Sequence, residues 1–232
     1  MAPITLVYYG VAGRGELSRL IARVGGIGDD GIVFSSEMPE GVTKADCGST
    51  GSVPVLIDGD RNLRMNESGA IEHYLSLIAP LYRDLTPTQR AKDSQLCHMK
   101  ESCLSKIAGI IFSIPPGERS STPSSSSSLS PEAARAREAL AGLIDRQFTA
   151  IETILPPEGF VNGLDIPTPA DLAILNLCEG RMPFGFAHGF AGTDLAGSYP
   201  KLHGILQRTK AFPAVAEYLT ESTTLRTPVP GF

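Results

Sequence analysis

Several features that would narrow the class of protein are missing from this 232-residue chain. It has no tryptophan, only 6% aromatic residues, and no apolar run that approaches the roughly 18 residues of a membrane-spanning helix. Charged residues occur early in the chain, a pattern unlike the long apolar core of a signal peptide. We therefore expect a cytoplasmic protein with no membrane partner, and the length suits one large domain or two small ones.

An excess of basic charge is also missing. The formal net charge is -5, so the surface offers no positive field for nucleic acid. The cysteines form no Cys-x-x-Cys pair and no cluster with the few histidines, which argues against a metal site and against a disulfide-exchange motif. We expect no nucleic-acid partner, no bound metal, and four free buried thiols, namely Cys47, Cys97, Cys103 and Cys178.

The first third of the chain alternates short apolar strands with helices. The pattern predicts strands over 4–9, 32–35, 55–58 and 63–66, and helices over 16–24 and 69–77. The dipeptide Asp58-Gly59 is typical of a tight turn, so the third and fourth strands are predicted to form a hairpin. The order of elements is therefore βαβ followed by ββα.

From Thr86 onward the apolar period becomes helical. Thr86 is a predicted cap, and a second amphipathic helix is predicted from Pro131. A further helix begins after Thr168, where the carboxylate of Asp171 can reach back to the cap. The serine-rich stretch over 113–131 is interpreted as a loop, because its composition buries too little apolar surface to offset its ordering entropy.

Three segments carry a resemblance to a known family. Tyr8 is followed by a glycine-rich turn over 10–15, Val53 and Pro54 precede the third strand, and Glu67 and Ser68 precede a helix. In this order, and together with the segments at 163–171, 199–202 and 212–215, they resemble the cytosolic glutathione transferases of the tyrosine type, the sigma class above all. The resemblance implies a thioredoxin-like α/β domain over 1–82 with a cis-proline, and an all-α helical domain over 83–232 that includes the serine-rich loop.

The resemblance also implies the catalytic residues. Tyr8 would donate a hydrogen bond to the sulfur of glutathione, which is the cosubstrate, and Arg14 would add positive potential. Taken alone, Tyr8 is also consistent with simple packing at a strand end, and Arg14 with a solvent-exposed arginine at a helix start. Tyr9 points to the opposite face of the strand and is interpreted as structural.

Five further residues would bind glutathione. The backbone of Val53, before Pro54, would pair with the cysteinyl segment as an added strand does. Ser68 at the helix start would hold the γ-glutamyl carboxylate, and Glu67 would face the amino group; an ordinary serine cap is the alternative for Ser68. The tryptophan and lysine that sigma relatives place before the proline segment are absent here, so Lys44 is the candidate for the glycyl carboxylate.

The resemblance implies an apolar electrophile as second substrate and a homodimer. The electrophile would lie between the domains, against Gly13, Ile111, Phe112 and Phe232. An acidic residue from the long helix of the partner molecule, Glu101 or Asp93, would complete the glutathione site.

The function that follows is conjugation of the glutathione thiolate to apolar electrophiles. Two alternatives stay open on the sequence. One is a glutathione-dependent isomerase of the prostaglandin D synthase kind, since sigma relatives include these. The other is a non-catalytic binder or structural dimer that keeps the transferase fold.

Overall fold

The computed structural model describes residues 3–115, 118, 129–182 and 185–227. A four-stranded sheet lies in the first part of the chain, with the strand order β2-β1-β3-β4. β1 pairs with β2 in parallel and with β3 antiparallel, and β3 pairs antiparallel with β4. The strands are β1 (Ile4–Val7), β2 (Ile32–Ser35), β3 (Val55–Asp58) and β4 (Leu63–Asn66).

Two helices cover one face of this sheet. α1 (Glu16–Val24) connects the parallel strands β1 and β2, and α2 (Ser68–Ile78) follows β4 and packs against α1. The predicted bounds of β2, β3, β4 and α1 are confirmed, whereas β1 ends at Val7, two residues before the predicted end. Tyr8 therefore lies just beyond the strand, although its N–H still donates to the Ser35 carbonyl at 2.9 Å.

The β3–β4 hairpin forms, but its turn differs from the predicted one. The residue with left-handed backbone geometry is Asn62, with φ of 49°, and not Gly59. Asp58 shapes the loop through its side chain, because its carboxylate accepts from the Arg61 N–H at 3.1 Å and from the Arg61 guanidinium at 2.7 Å. Aspartate is common in turns because its side chain can accept hydrogen bonds from nearby backbone in this way.

The rest of the chain is helical. The long pair α3 (Pro87–Ile111) and α4 (Pro131–Ile154) is followed by α5 (Pro169–Cys178), α6 (Gly185–Ala191), α7 (Leu195–Ser198), α8 (Pro200–Ala211) and α9 (Pro213–Glu221). The predicted cap at Thr86 is confirmed, since it forms a capping box with Gln89. Every residue of α5 is buried, and this helix packs against α1, α3 and α8. The predicted fold class, a thioredoxin-like α/β part followed by an all-helical part, is confirmed.

The predicted serine-rich loop falls mostly outside the described residues. Residues 116–117 and 119–128 are among those that the structure does not describe. Glu118 is described, and its carboxylate accepts from the Ser130 N–H at 3.1 Å, next to the start of α4.

Asp93 on α3 anchors the buried helix α5. Its Oδ1 accepts from Thr168 Oγ1 at 2.7 Å, from Asn162 Nδ2 at 2.9 Å and from the Ala170 N–H at 3.1 Å. Asp171 accepts from the Thr168 N–H at 2.8 Å, which confirms that its carboxylate reaches back to the cap. The candidacy of Asp93 as an acid donated to a partner molecule is therefore wrong, because its side chain is buried within its own subunit.

The network predicts a pH dependence of stability. Burial raises the pKa of Asp93 to about 6, although three hydrogen bonds oppose the rise, and burial likewise raises the pKa of Asp171 to about 6. A carboxyl whose pKa is raised on folding stabilises the native state below its unfolded pKa of about 4, and this contribution is lost as the pH rises through 6. Wild-type protein should therefore lose stability between pH 4 and pH 6.

Asp93→Asn tests this dependence, because the amide oxygen can still accept while the titrating group is removed. We expect the loss of unfolding free energy between pH 4 and pH 6 to shrink by roughly 2 to 3 kcal/mol, as follows from a shift of about two pKa units. Denaturant unfolding at several pH values measures it. The control is Asp84→Asn, an exposed aspartate. An unchanged slope in Asp93→Asn would contradict the prediction.

Candidate functional site

The hydroxyl of Tyr8 is held at the turn that follows β1. It accepts a hydrogen bond of 2.9 Å from the Arg14 N–H. Because a phenol can accept and donate at once, this bond leaves the hydroxyl hydrogen for a further acceptor. Burial raises the pKa of Tyr8, whereas the Arg14 hydrogen bond and the charges of Arg14 and Arg19 lower it.

Two glycines allow the ring of Tyr8 to lie against the turn. A Cβ atom at Gly13 would stand 2.3 Å from the Tyr8 hydroxyl oxygen, and one at Gly15 would stand 2.6 Å from the Tyr8 Cγ. No larger residue fits at either position unless the ring moves. Gly13, a sequence-based candidate for the electrophile pocket, therefore lies directly beside the proposed catalytic hydroxyl.

Four of the predicted glutathione-binding residues meet Arg14 in one cavity. The cavity has a volume of about 510 Å³, within the usual range for a small-molecule site. Val53 and Pro54, joined by a cis peptide bond, line one side, and Glu67 and Ser68 line another. Three stretches far apart in the sequence thus contribute to a single site.

The cavity opens at the N-terminus of α2. Ser68 is the first residue of the helix, and Glu67 precedes it with φ of 69°. A non-glycine residue in this backbone region is uncommon and costs of order 1 kcal/mol or more. Such residues cluster at functional sites. The Ser68 side chain does not cap the helix and instead donates to Glu101 at 3.4 Å.

Helix α3 closes the opposite side of the cavity. Arg14 Nε donates to Glu101 Oε1 at 2.7 Å, and its Nη2 donates to Ser105 Oγ at 3.1 Å. Behind Glu101 lies a buried ion pair in which Lys100 Nζ is 2.6 Å from Glu72 Oε1. Glu101 is therefore part of the site of its own chain, a role that sequence reasoning missed because it assigned this acid to a partner molecule.

His98 and Ser105 are further lining residues that sequence reasoning did not identify. His98 Nδ1 lies 2.7 Å from the Ser94 carbonyl, an acceptor to which it donates. The lining also holds two carboxylates, one guanidinium and a helix N-terminus. This set suits a ligand that carries both an ammonium and a carboxylate group.

Lys44 does not line this cavity. Its Nζ donates instead to the Gly51 carbonyl at 2.8 Å, just before the Val53 segment. The structure therefore places the candidate for the glycyl carboxylate beside the other predicted residues, with its ammonium group already engaged by backbone.

The predicted electrophile residues are not all found together. Ile111 is only 3% exposed and belongs to the hydrophobic core, whereas Phe112 is 64% exposed. Phe232 lies outside the described residues. Tyr9, interpreted as structural, has a side chain that is 58% exposed and lies beside Tyr8, with ring centroids 5.4 Å apart.

A second cavity of about 410 Å³ is lined by Tyr8. It is bounded by α1, by the end of β2 and by α9 with the segment that follows it. Tyr8 is among the residues that line this cavity, whereas Arg14, whose N–H holds the Tyr8 hydroxyl, lines the first one. The turn after β1 thus contributes residues to both cavities, Tyr8 and Gly10 to the second and Arg14 to the first.

Within the described residues, no group of three or more His, Cys, Asp or Glu side chains is arranged to hold a metal ion. In the same part of the chain, no helix has the length and apolar character needed to cross a membrane. Burial raises the pKa of all four cysteine thiols, so none is poised as a thiolate nucleophile.

The contact of Tyr8 with the glycine turn yields a direct prediction. Gly15→Ala should lower the free energy of unfolding by about 1 to 3 kcal/mol, since the new methyl group overlaps the ring. Gly10→Ala is the matched control, because a Cβ there meets no atom within 4 Å, and it should change stability by less than about 0.5 kcal/mol. Denaturant unfolding measures both, and equal stability of the two variants would show that the ring is not held as described.

Comparison with known proteins relates this fold to solved structures. No family model and no curated protein matches the chain. A Caenorhabditis elegans glutathione S-transferase superimposes with a TM-score of 0.66 at 21% identity, covering 99% of this chain and 100% of that one. The Pi-class glutathione S-transferase of Onchocerca volvulus gives 0.65 at 20% identity, with 99% and 97% covered. Rat hPGDS in complex with a quinoline gives 0.62 at 18%, with 99% and 100% covered. The chain therefore has the fold of the glutathione S-transferases over nearly its whole length.

Proposed function

We propose that the chain is a glutathione transferase of the tyrosine type, in which Tyr8 activates the glutathione thiol and the thiolate is added to apolar electrophiles. The observation that carries the proposal is the convergence of Val53, Glu67, Ser68 and Arg14 on one cavity, next to a tyrosine hydroxyl held by the Arg14 N–H. The division into a thioredoxin-like domain over 1–82 and a helical domain over 83–232, the relation to the sigma class and a cytoplasmic location belong to the same proposal.

The polar groups of the cavity match the parts of glutathione. The N-terminus of α2, with the N–H and hydroxyl of Ser68, would receive the γ-glutamyl carboxylate. Glu67 and Glu101 would receive the ammonium group of the same residue. The backbone at Val53 would pair with the cysteinyl segment, and Lys44 would have to exchange the Gly51 carbonyl for the glycyl carboxylate.

A single phenol can account for activation of the thiol. Lowering a thiol pKa from ~8.5 to ~6.5 requires about 2.7 kcal/mol of differential stabilisation. One hydrogen bond to a charged acceptor supplies about 1.5 to 3 kcal/mol. The Arg14 N–H increases this effect because it withdraws electron density from the phenol oxygen that donates.

The electrophile would approach along the exposed side of the same turn. Gly13 at this turn and the exposed side chains of Tyr9 and Phe112 are the candidates for an apolar surface there. A conjugation assay with a general aromatic electrophile, with and without glutathione, tests the proposal. A rate no higher than the uncatalysed background would favour the non-catalytic binder, and glutathione-dependent isomerisation without conjugation would favour the isomerase.

Tyr8→Phe separates catalysis from packing, because it removes one hydroxyl and keeps the ring. We expect conjugation at neutral pH to slow roughly ten- to a hundredfold and the pKa of the bound thiol to rise, with a much smaller effect on glutathione binding. The absorbance of the bound thiolate against pH measures the thiol. Tyr9→Phe is the control and should titrate as wild type does. If Tyr8→Phe also titrates as wild type, another group activates the sulfur, and Arg14 is the next candidate.

A homodimer is part of the proposal. In the chain described here Glu101 already binds Arg14, so any acid supplied by a partner would join a site that is largely assembled within one subunit. We expect light scattering at micromolar concentration to give the mass of a dimer. A monomeric mass with full conjugation activity would contradict the dimer and leave the transferase proposal standing.

A further inference from the structure

Arg19 is an almost fully buried arginine that lies behind Tyr8. Only 5% of its surface is exposed, although a guanidinium is charged at every physiological pH. Its Nη2 donates to the Tyr9 carbonyl at 2.7 Å, and its Nη1 donates to the Val11 carbonyl at 3.2 Å. Both carbonyls belong to the turn that carries Tyr8.

The same guanidinium lies over the ring of Tyr8. Its Cζ is 5.5 Å from the ring centroid, within the distance at which a cation and an aromatic face attract each other. On its other side the ring lies against Gly13 and Gly15, so closely that a Cβ atom at either position would overlap it. The ring is thus enclosed between the turn and a permanent positive charge.

A buried carboxylate holds Arg19 in this place. Glu16 Oε2 lies 2.8 Å from Arg19 Nη1, and neither side chain is appreciably exposed. Glu16 in turn accepts from the Tyr218 hydroxyl at 2.7 Å and from Thr224 Oγ1 at 3.0 Å. The charge over Tyr8 is therefore anchored to α9 and to the segment after it.

We propose that Arg19 is a positioning residue for Tyr8, which holds the phenol ring against the glycine turn and places a fixed positive charge over its face. The consequence for catalysis rests on the proposed transferase function, whereas the coupling between Arg19 and Tyr8 does not. Arg19 is 3.2 Å or less from its backbone acceptors and is not among the residues that line the first cavity. It acts through Tyr8.

The charge of Arg19 favours the ionised form of the phenol and strengthens its hydroxyl as a donor to an anion. Burial raises the pKa of Tyr8, and the charge of Arg19 acts against this rise together with Arg14. Tyr9 is the other titratable neighbour that acts on Tyr8. The remaining charged or titratable groups around the second cavity and the ion pair are Glu16, Arg23, Asp29, Tyr218 and Glu221.

The test titrates Tyr8 in protein without glutathione. Phenolate absorbance is followed against pH, and the difference from Tyr8→Phe assigns the signal of Tyr8. Arg19→Met should raise the pKa of Tyr8, and Arg19→Lys, which keeps the charge, should leave it near the wild-type value. Since Arg19→Met leaves Glu16 buried without its partner, the double variant Glu16→Gln/Arg19→Met supplies a charge-balanced version, and circular dichroism verifies its fold.

Arg23→Met is the matched control. Arg23 lies one turn further along α1 and lines the same cavity, but its guanidinium is 2.9 Å from Asp29 and 3.6 Å from Glu221. This variant should leave the titration of Tyr8 unchanged. The proposal is overturned if the folded double variant titrates as wild type, if Arg19→Lys shifts Tyr8 as much as Arg19→Met does, or if Arg23→Met gives the same shift.

A second measurement connects Arg19 with the thiol. In the folded double variant the pKa of bound glutathione should rise, and each unit of rise lowers the thiolate fraction at neutral pH by up to about tenfold. Failure of wild-type protein to bind glutathione would refute the transferase proposal, while the phenol titration would still decide whether Arg19 acts on Tyr8.

Discussion

Arg14 is bonded in two directions, and the candidate site depends on both. Its backbone N–H holds the hydroxyl of Tyr8, and its guanidinium binds Glu101 and Ser105 on α3. The turn after β1 is thereby held to the helical part of the chain, and the N-terminus of α2 lines the same cavity. A site assembled from separate elements needs such support, since a displacement of about 1 Å is enough to impair catalysis.

Buried ion pairs lie directly behind this arrangement. Glu16 and Arg19 are buried behind Tyr8, and Glu72 and Lys100 are buried behind Glu101. Apolar side chains of similar volume would generally be less costly to bury, so such pairs are weak evidence for stability alone. Their fixed bonding geometry is what an apolar pair could not provide, because a hydrophobic contact has no preferred direction. This is consistent with a positioning role for both.

Much of the local structure was predictable because its causes are local. The bounds of α1, β2, β3 and β4 follow from apolar periodicity, and the starts of α3 and α5 follow from their capping residues. The hairpin turn is an exception with a local cause of its own, a side-chain hydrogen bond. The hairpin turn was misjudged because the Asp58 side chain binds Arg61, so that Asn62 and not Gly59 adopts the left-handed geometry.

The residues of the candidate site also divide into those that local sequence predicts and those that only tertiary packing brings together. The sequence by itself determined the fold class, a helix start within one residue of Ser68 and the place of Tyr8 next to β1, since these depend on neighbours along the chain. Only the tertiary structure decided that Glu101 binds Arg14 of its own chain, that Asp93 is buried under α5, that Ile111 is in the core and that Arg19 lies over Tyr8. Some of these contacts join residues on different elements, and others depend on which face of a helix is covered. Neither follows from the residues that are neighbours along the chain, because such groups come within bonding distance only when the elements pack.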